Sequence, residues 1–274
     1  MQTQSYFPDL GDIEPTRETL HLHAAAMGVV SRAHAVPHPK WWHISLKVRP
    51  DGLVTNSMAL PGGGSFALRM DLINHEVILH TSQGNQSALS MREGLTGSEF
   101  GSRLLDGVKA LGLEGEYVRQ KFEDDSPREY NPKAATRLFS AFVNVDQLFK
   151  KHRATLSGEV SPVQIWPHGF DIAFEWLGAR IVEHEEDGQA TSSPSQLNLG
   201  FYPGRPEPYF YSNPWPFEKD QLVDQSLPES ARWHLEGWEG AFLPYAALAG
   251  KDDAGQRLLD FARRVYEISS PTLR

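Results

Sequence analysis

The chain has 274 residues, 40% of them hydrophobic, with seven Trp, fourteen Phe and eight Tyr. That is enough apolar bulk for one large domain or two modest ones, and too much for a disordered chain. Asp and Glu number 35 against 26 Lys and Arg, a formal net charge of −9, which argues against nucleic-acid and anionic-membrane partners, since both demand a basic face. The absence of cysteine excludes disulfides, thiolate metal sites and cysteine nucleophiles, and fits a reducing cytosol. The opening "MQTQSYFPDLGDIEP" carries no basic stretch followed by an apolar run, so no signal peptide is expected. No window approaches the roughly twenty apolar residues of a membrane span. A soluble cytoplasmic protein is the expectation.

A first helix is predicted to open near Pro15, a residue suited to the first helical position, with Leu22, Ala26, Val29 and Ala33 at helical spacing. It ends before Pro37 and Pro39. In "HPKWWHISLKV" the alternation predicts a strand with Trp42, Ile44, Leu46 and Val48 on one face and Trp41, His43, Ser45 and Lys47 on the other. Asp51-Gly52 reads as a hairpin turn. The glycines of "PGGGS" turn the chain into the strand "SFALRMDLI", and Asn74-His75 leads into "EVILHT". A second helix fits Ser98 to Leu111, with Gly112 as its stop. "KFEDDSPREYNP" is a connection, and Asn131-Pro132 supplies the cap and first residue of a strongly amphipathic helix through Leu138, Phe142, Val145 and Phe149. "FDIAFEW" is predicted as a strand, "EHEEDGQATSSPS" as a polar loop, "QLNLGFY" and "PYFYS" as strands, and Asp253 to Ile268 as a closing helix.

The order helix, strands, helix occurs twice, and the two closing helices share Arg103-Leu104-Leu105-Asp106 and Arg257-Leu258-Leu259-Asp260. The expected fold class is α+β. Residues 1–274 would form a single globular unit of two pseudo-repeated halves, roughly 12–120 and 121–270, whose antiparallel strands make one curved sheet or two abutting ones, covered by helices on one face.

Three segments carry a resemblance: "TLHLHAAAMG" followed by "WWHISL", "LFKKHRATLSGEVSPVQIWPHGFDIAF", and "GFYPG" followed by a tyrosine-rich strand. Together they resemble an uncharacterised bacterial family, domain of unknown function 5996, over nearly the whole chain. The resemblance implies a single-family soluble protein and attaches no reaction to it. It also implies a His-Glu pair ahead of the "GF-x-PG" segment, where this chain has Ser195-Gln196, so a site built on such a pair is not expected here.

The familiar chemical motifs fail on spacing. His75 and His80 in "HEVILH" are five apart and on a strand, whereas a zinc-protease helix needs four. "PGGGS" lacks the Lys-Ser/Thr of a phosphate loop, and no nucleophile elbow or dinucleotide fingerprint occurs. Asp171 and Glu175 share a strand face with backbones roughly 13 Å apart, too far for a glycosidase pair. The identity of any cofactor is not legible in the chain.

The histidines are the strongest chemical hint. His34, His38 and His43 surround the proline corner, and His168 in "WPHGFD" occupies the comparable corner of the second half. Converging imidazoles act as acid, base or, with Asp171 or Glu175, metal ligands. The alternative is that Trp41, Trp42 and Trp166 seal a junction, with the histidines bonded to backbone at its edge.

The leading expectation is a small polar or aromatic ligand bound in a cleft between the halves by Trp41, His38, His43, Lys47, Trp166, His168, Asp171, Tyr209 and Tyr211. A hydrolase or lyase with His43 or His168 as general base and Glu175 nearby, with or without a metal, is the second. An interaction module using the aromatic run Tyr209 to Trp215 is the third. Oligomeric state is not legible in the chain.

Overall fold

The fold was obtained as a computed structural model, which describes residues 6–186 and 188–274. It is α+β, as expected, with five α-helices and two antiparallel sheets among the described residues. The chain divides into two compact units, each discontinuous in sequence. One comprises Leu10–Val143 and Gln164–Asp171; the other comprises Met1–Asp9, Asn144–Val163 and Ile172–Arg274. No described helix is long and apolar enough to cross a membrane.

The first unit begins with helix α1, Glu14–His34. Pro15 sits in its first turn, and Leu20, Ala24, Met27 and Val30 are buried along one stripe. Strands β1 (Lys47–Arg49), β2 (Gly52–Val54), β3 (Met58–Ala59), β4 (Ser65–Asp71), β5 (Glu76–Thr81) and β6 (Gln86–Ser90) form a sheet in the order β1-β2-β4-β5-β6, with β3 paired to β4. The β1–β2 turn is one residue earlier than "Asp51-Gly52" implied. Arg49 pairs with Gly52, so Gly52 already lies in the strand, where a side chain would run into the Met70 carbonyl.

Helix α2, Gly97–Ala110, starts at a full capping box: Thr96 Oγ1 accepts the Glu99 N–H at 3.1 Å, and Glu99 accepts the Thr96 N–H at 2.9 Å. It lies against α1, with the His23 and Phe100 rings stacked at 3.7 Å. Strand β7, Gln164–Trp166, returns to this unit, and Ile165 exchanges both backbone hydrogen bonds with Leu46.

The predicted strand from Trp42 to Val48 is not formed as expected. Trp42–Ile44 is a 3-10 turn, entered through Trp41 at φ +59°, and the strand proper starts only at Lys47. Local bonds outcompete a ladder here: the Asn56 amide donates to the carbonyls of Trp42 (3.2 Å) and His43 (3.1 Å), and Ser45 Oγ donates to the Trp42 carbonyl at 2.8 Å. The inside–outside alternation is lost accordingly, with Trp41 exposed and His43 buried.

Helix α3, Pro132–Arg153, opens as predicted at Asn131, whose Oδ1 accepts the N–H groups of Lys133 and Ala134. The chain passes from one unit to the other within α3. The second unit then holds β8 (Asp171–Glu186, from Ile172 on), β9 (Gln189–Tyr202), β10 (Tyr209–Ser212), β11 (Pro214–Trp215), the single-turn α4 (Lys219–Leu222), β12 (Arg232–His234), β13 (Gly240–Pro244) and α5 (Ala254–Ser269). Its strands run in the order β12-β13-β10-β9-β8, with β11 on β9.

The polar loop expected at 183–195 is instead the outer part of a long hairpin. Pairing resumes at Ile181↔Pro194 after a register shift and continues to Glu186↔Gln189. Polar residues sit there because that part of the hairpin is largely exposed on its described side chains, so the apolar signal of a strand is missing while the backbone ladder remains. At the shift, Gly178 leaves room for the Leu273 carbonyl, which accepts from Ser195 Oγ at 2.7 Å. Phe174, Trp176, Phe201, Phe210 and Leu243 of the strands are buried, as are Leu258, Phe261 and Val265 of α5. Phe7 closes this core against Phe210 (5.6 Å) and Tyr245 (5.5 Å).

Candidate functional site

One face of α1 is unusually lean. His21, Ala25, Gly28, Val29 and Arg32 follow one another at helical intervals of four, seven, eight and eleven residues, and so share a stripe. Opposite them lies the turn Trp166–Phe170, closed by the Phe170 N–H donating to the Trp166 carbonyl at 2.8 Å. Phe170 is at φ +53° and fully buried, its ring parallel to His21 at 6.0 Å and edge-on to Phe142 at 5.4 Å. That anchor brings Pro167 down onto Gly28. A β-carbon at Gly28 would lie 2.7 Å from the Pro167 Cβ and 2.9 Å from its Cγ, so glycine is required by the approach.

Beside this contact is a cleft of about 160 Å³, lined by His21, Ala25, Gly28, Val29 and Arg32 from α1, Ile44 from the 3-10 turn, Val118 and Lys121 from the α2–α3 connection, and Pro167 and His168. Every lining residue belongs to the first compact unit. Six are apolar or glycine; Arg32 and Lys121 are cations; Asp and Glu are missing from the lining.

His21 Nε2–H donates to the His168 carbonyl at 3.0 Å. Burial, the largest influence, lowers the His21 pKa, with that carbonyl bond opposing it and Arg17 adding to it. The ring is therefore neutral at pH 7, with its proton on Nε2 and its lone pair on Nδ1. Arg32 is held in another way. Its guanidinium lies over the Trp41 ring, 4.8 Å from the centroid.

Of the residues expected from the sequence, His168 lines the cleft, and the Trp–His corner adjoins it through Ile44 and Arg32. His38 and His43 do come together, but as a closed packing unit: the His38 N–H donates to His43 Nδ1 at 3.1 Å, and the Lys40 N–H to His38 Nδ1 at 3.1 Å. His38 stacks on Trp42 at 4.3 Å and Trp41 on His43 at 5.5 Å. Both imidazole lone pairs used in this way leave N–H groups on Nε2, a poor state for a general base. Burial, then His38 and Arg32, lower the His43 pKa. His34 joins neither, bonding Tyr117 Oη at 2.8 Å.

Lys47 Nζ donates to Ser45 Oγ (2.9 Å) and Gln164 Oε1 (2.7 Å), and Trp166 flanks His168 at 5.8 Å. Asp171 falls in the first unit and Glu175 in the second, where the Glu175 N–H donates to Ser161 Oγ at 2.8 Å. Tyr209 and Tyr211 also lie in the second unit, in an aromatic stack with Phe242 (4.9 Å from Tyr209) and Trp238. None of these four lines the cleft. The histidine–carboxylate cluster considered for a divalent ion is not assembled: among the described residues no group of three or more His, Asp or Glu is placed to hold a metal.

Sequence reasoning missed His21, Arg32 and Lys121. The available signal was Gly28, a helix-weakening residue kept in the middle of a long helix and best explained by a close neighbour.

A family of unknown function (DUF5996) matches residues 7–273. The chain belongs to this family. The match covers α1, the Trp166–Phe170 turn and the long hairpin alike, so every residue lining the cleft lies within it. Where the resemblance implied a His-Glu pair, Ser195 serves instead as a buried donor to the chain end. No curated protein and no solved structure matches the chain.

Proposed function

We propose that this protein binds a small organic ligand in the cleft along α1. The observation that carries the reading is the lining itself: apolar walls from Ala25, Val29, Ile44, Val118 and Pro167, with a few polar groups, His21, Arg32, Lys121 and His168, at the same opening. That composition is the usual one for small-molecule sites. The volume of about 160 Å³ suits a body about the size of one ring, comparable to a cavity of about 150 Å³ that takes benzene. All ten lining residues fall within the first compact unit, so the proposed site is inside that unit, in place of the expected cleft between two halves. A general base at the Trp–His corner is disfavoured, because the Nδ1 lone pairs of His38 and His43 are already engaged. A cysteine-free, acidic chain suits the cytosol.

The test is amide NMR mapping of one-ring fragments on the full chain. Binding is expected to shift Ala25, Gly28, Val29 and Ile44, and to disappear in Ala25→Leu and in Val29→Phe, which fill the cleft. Fragments that shift none of these amides, or that bind the folded cleft-filled variants unchanged, would overturn the proposal. The native-chain map decides even where a variant fails to fold.

A further inference from the structure

We infer that the ligand of this cleft is a small carboxylate: an anionic head on an apolar body about the size of one ring. The inference rests on the cleft being a ligand site, and it names the class of molecule.

Charge is the first argument. The chain carries 35 acidic residues against 26 basic ones, yet the ten lining residues include two cations and no carboxylate. None of the acidic surplus of the molecule lines this opening. A cationic lining within an acidic chain selects anions and repels cations.

The second argument is that these cations are not already neutralised. Among the described residues, neither Arg32 nor Lys121 forms an ion pair with Asp or Glu, whereas Arg17, Arg69, Arg103, Arg128 and Arg257 all do. Arg32 stands in the last turn of α1, where a cation is favoured in any case by the helix carbonyls. Lys121 has no such excuse. It comes from a separate 3-10 turn, Arg119–Lys121, and reaches the same cleft independently.

Preorganisation is the third. The Arg32 guanidinium is fixed over the Trp41 ring, and Trp41 is 48% exposed in a left-handed conformation. An exposed tryptophan in a costly backbone state gains little from burial. Besides stacking on His43, it holds the guanidinium, whose planar fork matches a carboxylate. At the other end, the His168 carbonyl is already occupied by His21 Nε2–H, which removes an acceptor that would repel an anion. Between these ends, Ala25, Gly28, Val29, Ile44 and Pro167 offer only apolar surface for the body.

The experiment titrates benzoate, benzamide and benzamidine, three planar probes of the same shape and charges −1, 0 and +1, into the full chain by calorimetry and amide NMR. Benzoate is expected to bind at least tenfold tighter than benzamide, with benzamidine weakest. Arg32→Gln and Lys121→Gln are each expected to weaken benzoate several-fold and leave benzamide unchanged; both residues are exposed, so the variants fold. Trp41→Ala should weaken benzoate through Arg32 alone. Equal binding of all three at the cleft, or tightest binding of benzamidine, would overturn the carboxylate assignment while leaving the ligand site standing. Cleft amides that respond to none of the three and to no neutral fragment would remove the site and this inference together.

Discussion

His23 shows how one residue couples packing to pH. It is 2% exposed, lies flat on Phe100 at 3.7 Å, and its Nδ1 has no partner among the described residues. Burial pushes its pKa from 6.5 down to about 3. Below pH 6.5 the unfolded chain takes up a proton there while the folded chain does not, so stability falls with falling pH across that window, by about 1.4 kcal/mol per pH unit. His152, lowered to about 4 chiefly by burial, adds the same sign in the other unit. The lowered carboxyl groups Asp71 and Asp124 act elsewhere, losing their contribution only below about pH 4, near their ordinary value. Urea unfolding between pH 7 and pH 4 is expected to show the loss, with a shallower limb in His23→Leu; an equal slope in that variant would contradict it. Gly28 gives a second residue-scale prediction. Helix propensity alone makes Gly28→Ala a gain of about 1 kcal/mol, but the added methyl meets the rigid Pro167 ring at 2.7 Å. The expected outcome is a net loss of about 1–3 kcal/mol, read as a lower urea midpoint, together with weaker benzoate binding.

At the level of elements, the sequence was most legible where side chains cap or stop a helix. Thr96 with Glu99, and Asn131 ahead of Pro132, satisfy the open N–H groups of α2 and α3 using atoms visible in the sequence. Thr96→Ala should accordingly lower stability by about 1 kcal/mol. Legibility failed where the deciding bonds come from afar. The alternation from Trp42 to Val48 is a fair strand pattern, but Asn56 takes the two carbonyls a ladder would need. Asn56→Ala is expected to cost about 1–3 kcal/mol and to broaden the Ile44 amide at the cleft; an unchanged melting curve and spectrum would refute the role given to it. The outer part of the β8–β9 hairpin was hidden for the opposite reason, since with polar residues exposed along it nothing in the pattern marks a strand. The cleft was half legible. The Trp–His corner and His168 were marked by their chemistry, while His21 and Arg32 became meaningful only once the stripe through Gly28 was placed against Pro167.

On the scale of the molecule, both compact units take segments from distant parts of the chain. The second unit needs residues before α1 as well as everything after β8: Phe7 is fully buried between Phe210 and Tyr245, and Tyr245 Oη donates to the Pro8 carbonyl at 2.8 Å. Phe7→Ala should therefore cost about 3–5 kcal/mol although it sits near the chain start, and melting of that variant is the check. The first unit needs the short return through β7 and the Trp166–Phe170 turn, which supplies Pro167 and His168 to the cleft.

That return has a consequence in time. His21 and the His168 carbonyl it binds are 147 residues apart in sequence. A chain emerging from the ribosome carries the complete α1 stripe early and waits until Pro167 and His168 have been made before the opposite wall exists. Contacts of such long separation form late. The cleft is thus absent from any chain that stops short of the Trp166–Phe170 turn, and whatever occupies it stabilises only chains that have passed that point.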